Sequence, residues 1–581
     1  MLPEASAVGK PEDDLSKVFS LVVILIATAV ALPLVALIWL AAAGQSAASG
    51  DTWAHLAATV LPRYAVNSAV LAFSVTLGVV TVGVATAWLV TRYDFAGRRV
   101  LEWALILPLA MPAYVIAYAY TDALQFTGPV QTGLRAWLGM DGVQWQAAGY
   151  RFPEVRSLAG LVCMLIFVLY PYVYLPARAA FLERAASVVE AGRVLGVTGR
   201  AAFFRLSLPL ARPAIAGGAA LALMEALADY GAASYFAVET FTTGIYKAWF
   251  GLQDVRATAQ LALTLLGFVL LLKLIEHVAR GRARFASGGT GGTGGAGRTV
   301  AGEHLPLRRA WLPIMICFIP VLAGFFIPVW VLMRLLLHEW GELAGTALTA
   351  YWRSAGNSFL VALLAALLAV ACAVLLAYAA RLGGRLHDRS HATVLRACVQ
   401  VAAAGYALPG AVLAFGILIP LTRFDLFLSS LIADASGGKP MLLLTGSVAG
   451  LVYAYLVRLI AVALTNVESG LVRITPSMDD AARALGASAT EILMRVHAPL
   501  LWRSLLVAGL FVFVDALKEL PATLVLRPFN FDTLATAAYT LTKDERLGEA
   551  ALPCLTLVAV GLIPLVWVAR ALGLATRANR G

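Results

Sequence analysis

Charged side chains are scarce in this chain. Asp, Glu, Lys and Arg make up 13% of its 581 residues, about half the share in an ordinary soluble domain. With 61% hydrophobic residues, that shortage excludes a soluble globular fold. Cysteine is scarce as well. Cys163, Cys317, Cys372, Cys398 and Cys554 are scattered through apolar runs without CxxC spacing, which argues against a disulfide framework or a thiolate metal site. His387 and His391 share a helical spacing but have no third ligand nearby, so no resident metal is expected. No GxxxxGK[ST] loop occurs, so the chain does not cradle nucleotide phosphates itself. No Ser/His/Asp or zinc-hydrolase pattern stands out. The expectation is a chain without bond chemistry and without a cofactor of its own.

Long apolar runs are abundant. Many reach the ~20 residues that a helix needs to cross a bilayer. Approximate spans are 19–43, 64–90, 101–121, 158–183, 213–236 and 258–278, then 311–337, 355–380, 395–420, 445–468, 503–526 and 550–572. The fold class is an all-α polytopic membrane protein of about twelve helices. The first run is too long for a signal-peptide core and reads as a retained span. A linker, 279–309, carries Arg280, Arg282 and Arg284 and the Gly/Ser/Thr-rich run Ser287 to Gly297, a composition typical of flexible tethers. It separates a first six-span unit, 1–278, from a second, 310–581. The net charge of +11 marks cytoplasmic loops rather than nucleic-acid binding. With both termini inside, the larger share of Lys and Arg falls on the cytoplasmic side.

The two halves repeat one another. Asn67-Ser68 and Asn357-Ser358 lie 290 apart, as do Glu225 and Asp515, Asp229 and Glu519, and Asp254/Arg256 and Asp544/Arg546. An even number of spans per copy makes the repeats parallel and pseudo-two-fold about the membrane normal, with a translocation path between them. The loops between the fourth and fifth spans of each copy repeat as well. Glu190-Ala191-Gly192 is followed by Gly196 and Leu208-Pro209. Asp480-Ala481-Ala482 is followed by Gly486 and Ala498-Pro499. In both, six positions separate acid from Gly and thirteen separate Gly from Pro. Each loop reads as helix, turn, helix, with the second helix stopped by its Pro. Apolar Phe203, Phe204, Leu206 and Leu208, and in the other copy Ile492, Leu493 and Val496, alternate with polar residues. Such helices fill a groove in a partner or lie on lipid headgroups.

At these residues the chain resembles the permease subunits of binding-protein-dependent ABC importers, whose signature loop has this acid–Gly–Pro spacing. Gly192, Asp480 and Ala498 depart mildly from it. The resemblance implies an inner-membrane protein with cytoplasmic termini. Its loops would dock on a separate ATPase dimer that binds ATP, and a periplasmic or lipid-anchored solute-binding protein would meet its outer loops. Downstream, Asp515 to Thr523 and Arg527 to Leu534 resemble the fused permeases of ferric iron importers. Permeases for thiamine, polyamines, sulfate and 2-aminoethylphosphonate share much of that region.

Five charged residues fall at membrane depth. Glu225 and Asp515 stand twelve residues past Pro213 and Arg503, ~18 Å along a helix. Asp229 and Glu519 are expected one turn further on the same face, and Lys518 is placed to pair with Asp515. Charges at that depth face the bundle interior. They read either as a polar ring on the translocation path or as a structural ion-pair network. The rival function, an H⁺- or Na⁺-coupled carrier, would use the same carboxylates. It has no need of two matched docking loops.

Overall fold

The computed structural model describes residues 10–42, 47–149, 152–194, 199–279, 303–341, 346–383, 389–436, 442–472, 474–487 and 491–578. Among them are 11 helices long and apolar enough to cross a membrane, or 12 when one bent pair is taken as a single span. Helices are what such runs must form, because hydrocarbon offers no partner to an unpaired backbone group. The chain is an all-α polytopic membrane protein in a two-repeat arrangement.

The expected third and ninth spans are not single rods. In the first copy, helix Arg98–Ala104 passes through a 3₁₀ turn at Leu107–Ala110, and a new helix, Ala113–Leu124, follows Pro112. The two segments of that bent pair are inclined by 96°. In the second copy, helix Arg389–Ala404 and the 3₁₀ turn Gly405–Ala407 give way at Pro409 to helix Gly410–Ser436. Met111 and Leu408, each just before the Pro, are extended, with ψ of 116° and 123°. A proline disfavours helical geometry in its predecessor and removes a donor, and the break recurs at a proline in both copies.

The fifth and eleventh spans start earlier than expected. Pro209 and Pro499 do not stop their helices. Each sits at the first turn of a long helix, Leu208–Ala228 or Ala498–Leu517, that continues from a π-helical stretch, Phe203–Ser207 or Ile492–His497. In that wider turn the Leu208 N–H donates to Phe203 O and the Ala498 N–H to Leu493 O. Bonds to the fifth residue back leave room for a proline ring that an ordinary α-turn would exclude.

By contacts the chain forms two compact units: residues 1–45, 258–263 and 349–536, and residues 46–257, 264–348 and 537–581. These are not the sequence repeats, since each unit takes its outer helices from the other copy. Within the first unit, helix Lys10–Ala42 packs on Arg389–Ala404 and Gly410–Ser436. There Tyr453 Oη donates to Ala29 O at 2.5 Å, and Gly416 lies so close to Pro33 that a Cβ would come within 2.6 Å of the Pro33 carbonyl oxygen. Within the second unit, helix Ile327–Glu339 packs on Ala113–Leu124 and on Leu547–Ala578. Arg334 pairs with Asp122 at 2.5 Å, and Tyr120 Oη donates to Ala323 O at 2.7 Å.

The end of the linker is ordered, contrary to its composition. Glu303–His304 pairs in parallel with Tyr93–Asp94, and helix Leu307–Val321 begins directly after. Residues 280–302 lie outside the described set.

The constant 290 offset also fails late in each copy. It holds through the short helices Gly231–Tyr235 and Pro521–Leu526. Beyond them the left-handed residues Ala237 and Asn530 (φ 55° and 58°) are 293 apart. So are the reciprocal caps Thr240/Thr243 and Thr533/Thr536. The second copy therefore carries three extra residues before Asn530, in the stretch of Arg527, Pro528 and Phe529. Gln253 and Glu545, again left-handed (φ 53° and 62°), are 292 apart. Asp254 and Asp544 are thus not structural counterparts; Asp254 answers to Arg546.

Candidate functional site

The second repeated loop is described almost completely. Pro476–Ala484 forms a helix whose two acidic residues differ in burial. Asp480 and Ala481 are exposed and Ala482 is half-buried, whereas Asp479 is buried. Gly486 follows the helix with φ +81°. The Ala487 N–H donates to Ala482 O at 3.1 Å and the Leu485 N–H to Ala481 O at 3.2 Å. That is a glycine-dependent helix ending, in which the left-handed residue lets the chain fold back over the last carbonyls. The stretch carries exposed apolar residues: Val472 (83%), Leu485 (88%) and Met494 (65%), with the exposed Pro499 and Leu500 further along. Ile492, expected on that face, is buried and anchors the stretch to its own bundle.

Asp479 carries a network that the spacing did not disclose. Its Oδ2 accepts from Arg381 Nε at 2.9 Å, and its Oδ1 lies 2.7 Å from His497 Nε2. Arg381 also donates to Leu471 O at 3.1 Å and Ile474 O at 2.9 Å. The loop helix is thereby tied to the end of helix Thr346–Gly383 and to the π turn opening the eleventh span. Burial opposes ionisation of Asp479, but hydrogen bonds from Arg381 and His497 outweigh it and hold its carboxyl below the ordinary value. In the first copy the positions 290 earlier are Thr91, Val189 and Ser207, which cannot build the same charge network.

In the first loop, the helix Pro171–Val194 includes Glu190, Ala191 and Gly192, whose side chains lie outside the description, as does Gly196 altogether. The helix resumes at Gly199. Phe203 turns inward against Trp88 and Phe181, at centroid distances of 4.8 and 6.5 Å. Phe204 is exposed, and Leu208 and Pro209 are half-buried. The described part repeats the second loop in outline: one inward anchor, then an outward apolar residue.

The intramembrane carboxylates are arranged differently from the expected single face. The helices end at Ala228 and Leu517, so Asp229 and Glu519 lie past the break and not one turn further along. Each instead caps the short helix that follows. Asp229 Oδ2 accepts from the Ala233 N–H at 3.0 Å, and Glu519 Oε1 from the Ala522 N–H at 3.3 Å. Lys518 does pair with Asp515, at 2.8 Å. Glu519, buried, pairs with Arg458 at 2.5 Å. Glu225 is half-buried on its helix. Arg458 was legible in principle, because an arginine within an apolar span signals a buried partner.

Residues 79–283 match the family described as binding-protein-dependent transport system inner membrane component. The chain is 24% identical to the Fe(3+)-transport system permease protein FbpB 2 of Haemophilus influenzae, over 86% of this chain and 88% of that protein. It is also 32% identical to the sulfate transport system permease protein CysW of Escherichia coli, over 26% of this chain and 48% of the relative. Against the molybdenum transport system permease protein ModB of Escherichia coli the identity is 29%, over 30% and 70%.

Proposed function

Because the chain is a fused permease of the binding-protein-dependent ABC type, we propose that it carries ferric iron across the inner membrane, driven by a separate ATPase dimer. The observation that carries the iron reading is the ferric permease relative, which aligns across both copies. The sulfate and molybdate permeases align over about a third of the chain or less. They favour an oxyanion as the second reading.

The docking reading rests on the loop Pro476–Pro499. Its outward side offers large apolar residues and an acid, while its inward side is anchored through Asp479 and Ile492. A rigid helix with an apolar outer face fits a groove in a soluble partner. Closure of the ATPase on ATP would push this helix, and through it the eleventh span. Solute would arrive from a binding protein on the opposite side. The membrane carboxylates lend little weight to a cation, since Asp515 and Glu519 are neutralised by Lys518 and Arg458.

The test is uptake by vesicles holding this chain, its ATPase and its binding protein. ATP-dependent accumulation of radiolabelled Fe³⁺, abolished by a Walker-lysine variant of the ATPase, is the expected result. Accumulation of sulfate or molybdate instead would replace the solute and keep the importer. Uptake driven by a proton gradient without the ATPase would overturn both.

A further inference from the structure

Tyr246 and Tyr539 occupy equivalent places in the two copies, 293 apart, in the register set by Ala237/Asn530 and the Thr240 and Thr533 caps. Both converge on a third tyrosine. Tyr246 stacks on Tyr230 with centroids 3.7 Å apart and planes 19° apart. Tyr539 lies 6.0 Å from the same ring, its hydroxyl 3.3 Å from Tyr230 Oη and 3.1 Å from Ser234 Oγ. All four residues belong to one compact unit.

Repeat mates meet only where the repeats meet. Two residues exchanged by a two-fold rotation have their midpoint on the rotation axis. Mates that both touch one ring therefore stand beside that axis. In a parallel-repeat transporter the solute passes there. Tyr230 has no mate of its own kind, because the position 290 later is Leu520. It directly follows the break at which helix Leu208–Ala228 ends, and Thr242 Oγ1 donates to the carbonyl of Asp229 at 2.9 Å. The ring is thus held at a hinge between a span and a short helix, and not in the middle of a rigid rod.

Resting on the importer reading, we propose that Tyr230, clasped by Tyr246 and Tyr539, is a gate that closes the translocation path in this conformation. Rings at 3.7 Å are in van der Waals contact and admit neither water nor ion. The Tyr246 side is held by close ring stacking, and the Tyr539 side by hydroxyl contacts and a tilted ring contact at 6.0 Å. Opening separates Tyr539 from Tyr230 and Ser234, leaving three neutral hydroxyls to line the passage.

The test uses the full complex with the ATPase. Tyr230→Cys and Tyr539→Cys are introduced together with Ala at the five native cysteines, and membranes are treated with a short bifunctional thiol reagent. Cross-linking should be rapid without nucleotide and at least about fivefold slower with the ATPase trapped in its ATP-bound state. Equal rates in both states, or no cross-link in either, would overturn the gate. If that variant does not assemble, Tyr230→Ala in the otherwise native chain decides. It should raise nucleotide-free K⁺ leak from preloaded vesicles at least about threefold. A leak equal to that of the unsubstituted chain overturns the proposal. Recruitment of the ATPase by the unsubstituted chain is scored separately, and its absence counts against the importer reading alone.

Discussion

Asp479 Oδ1 and His497 Nε2 lie 2.7 Å apart, both residues buried, and join a cytoplasmic loop helix to the root of the eleventh span. Arg381 completes the joint from a third helix. Removing Arg381 with Arg381→Leu leaves a buried carboxylate without its main partner, and should cost about 3–5 kcal/mol of local stability. Faster proteolysis within 476–484, together with loss of ATP-driven uptake, is the expected outcome. Unchanged protection would mean the joint carries no load.

The same joint sets a pH dependence. The Asp479 carboxyl is held below its ordinary value, so its contribution is fully present above the ordinary carboxylate range of about 4. It is lost as pH falls through the depressed folded value. Hydrogen exchange across 476–484, expressed relative to the intrinsic rate at each pH, should be flat from neutral pH down to that range and rise below it. In Asp479→Asn the acid-dependent rise should vanish, with faster exchange throughout.

Gly486 adopts φ +81°, so Gly486→Leu should strain the helix ending by about 1–2 kcal/mol and redirect the chain beyond it. Gly486→Asn should be tolerated better, since Asn enters the left-handed region more readily. Co-purification of the ATPase should fall with Leu and persist with Asn. Identical recovery from both would detach the glycine from docking.

Leu485 and Met494 are exposed at 88% and 65%, with no covering element among the described residues of their unit. Leu485→Asp with Met494→Asp should weaken ATPase binding by at least about 2 kcal/mol, roughly thirtyfold, while the chain still inserts. Ile492→Asp, at a buried site, should instead lower the amount of folded chain. Equal ATPase affinity for the double variant and the native chain would move the docking face elsewhere.

Glu519 and Arg458 separate a structural pair from a transport site. Arg458→Met alone should destabilise by about 3–5 kcal/mol, because a charge is left buried. Arg458→Met with Glu519→Gln should recover most of that stability, since Gln keeps an acceptor for the Ala522 N–H. Thermal unfolding in detergent measures this. Uptake that survives in the double variant assigns the pair to structure, and uptake lost despite restored stability assigns it to the path.

The repeated loops and the two-copy organisation were legible because acid, Gly and Pro spacing survives as sequence. Gly486 adopts the turn its position implied. Proline was misjudged in both directions. Pro209 and Pro499 read as stops but ride on π turns, a backbone choice that leaves no composition signal. Pro112 and Pro409 read as interior residues of apolar runs but break them, because hydropathy averages over a bend. The three residues added by Asn530 shift the register silently, so a chance Asp/Arg coincidence at 254 and 544 looked like an anchor. Asp479 was overshadowed by Asp480 beside it: neighbours on a helix point about 100° apart, and burial alone tells which one holds the fold.

The first helix of the chain completes the unit built from residues 349–536, and helix Ile327–Glu339 completes the unit that contains the first copy's core. The two copies are woven, not butted together. Neither gene half encodes a piece that can bury its own surfaces, so residues 1–278 made alone would expose the faces their missing partner covers. Within each unit these contacts join the copies through helices outside residues 280–302 of the linker. Severing the polypeptide there, with both parts made together, should leave a working pair, whereas exchanging the opening helix for an unrelated span should dismantle the other half of the molecule.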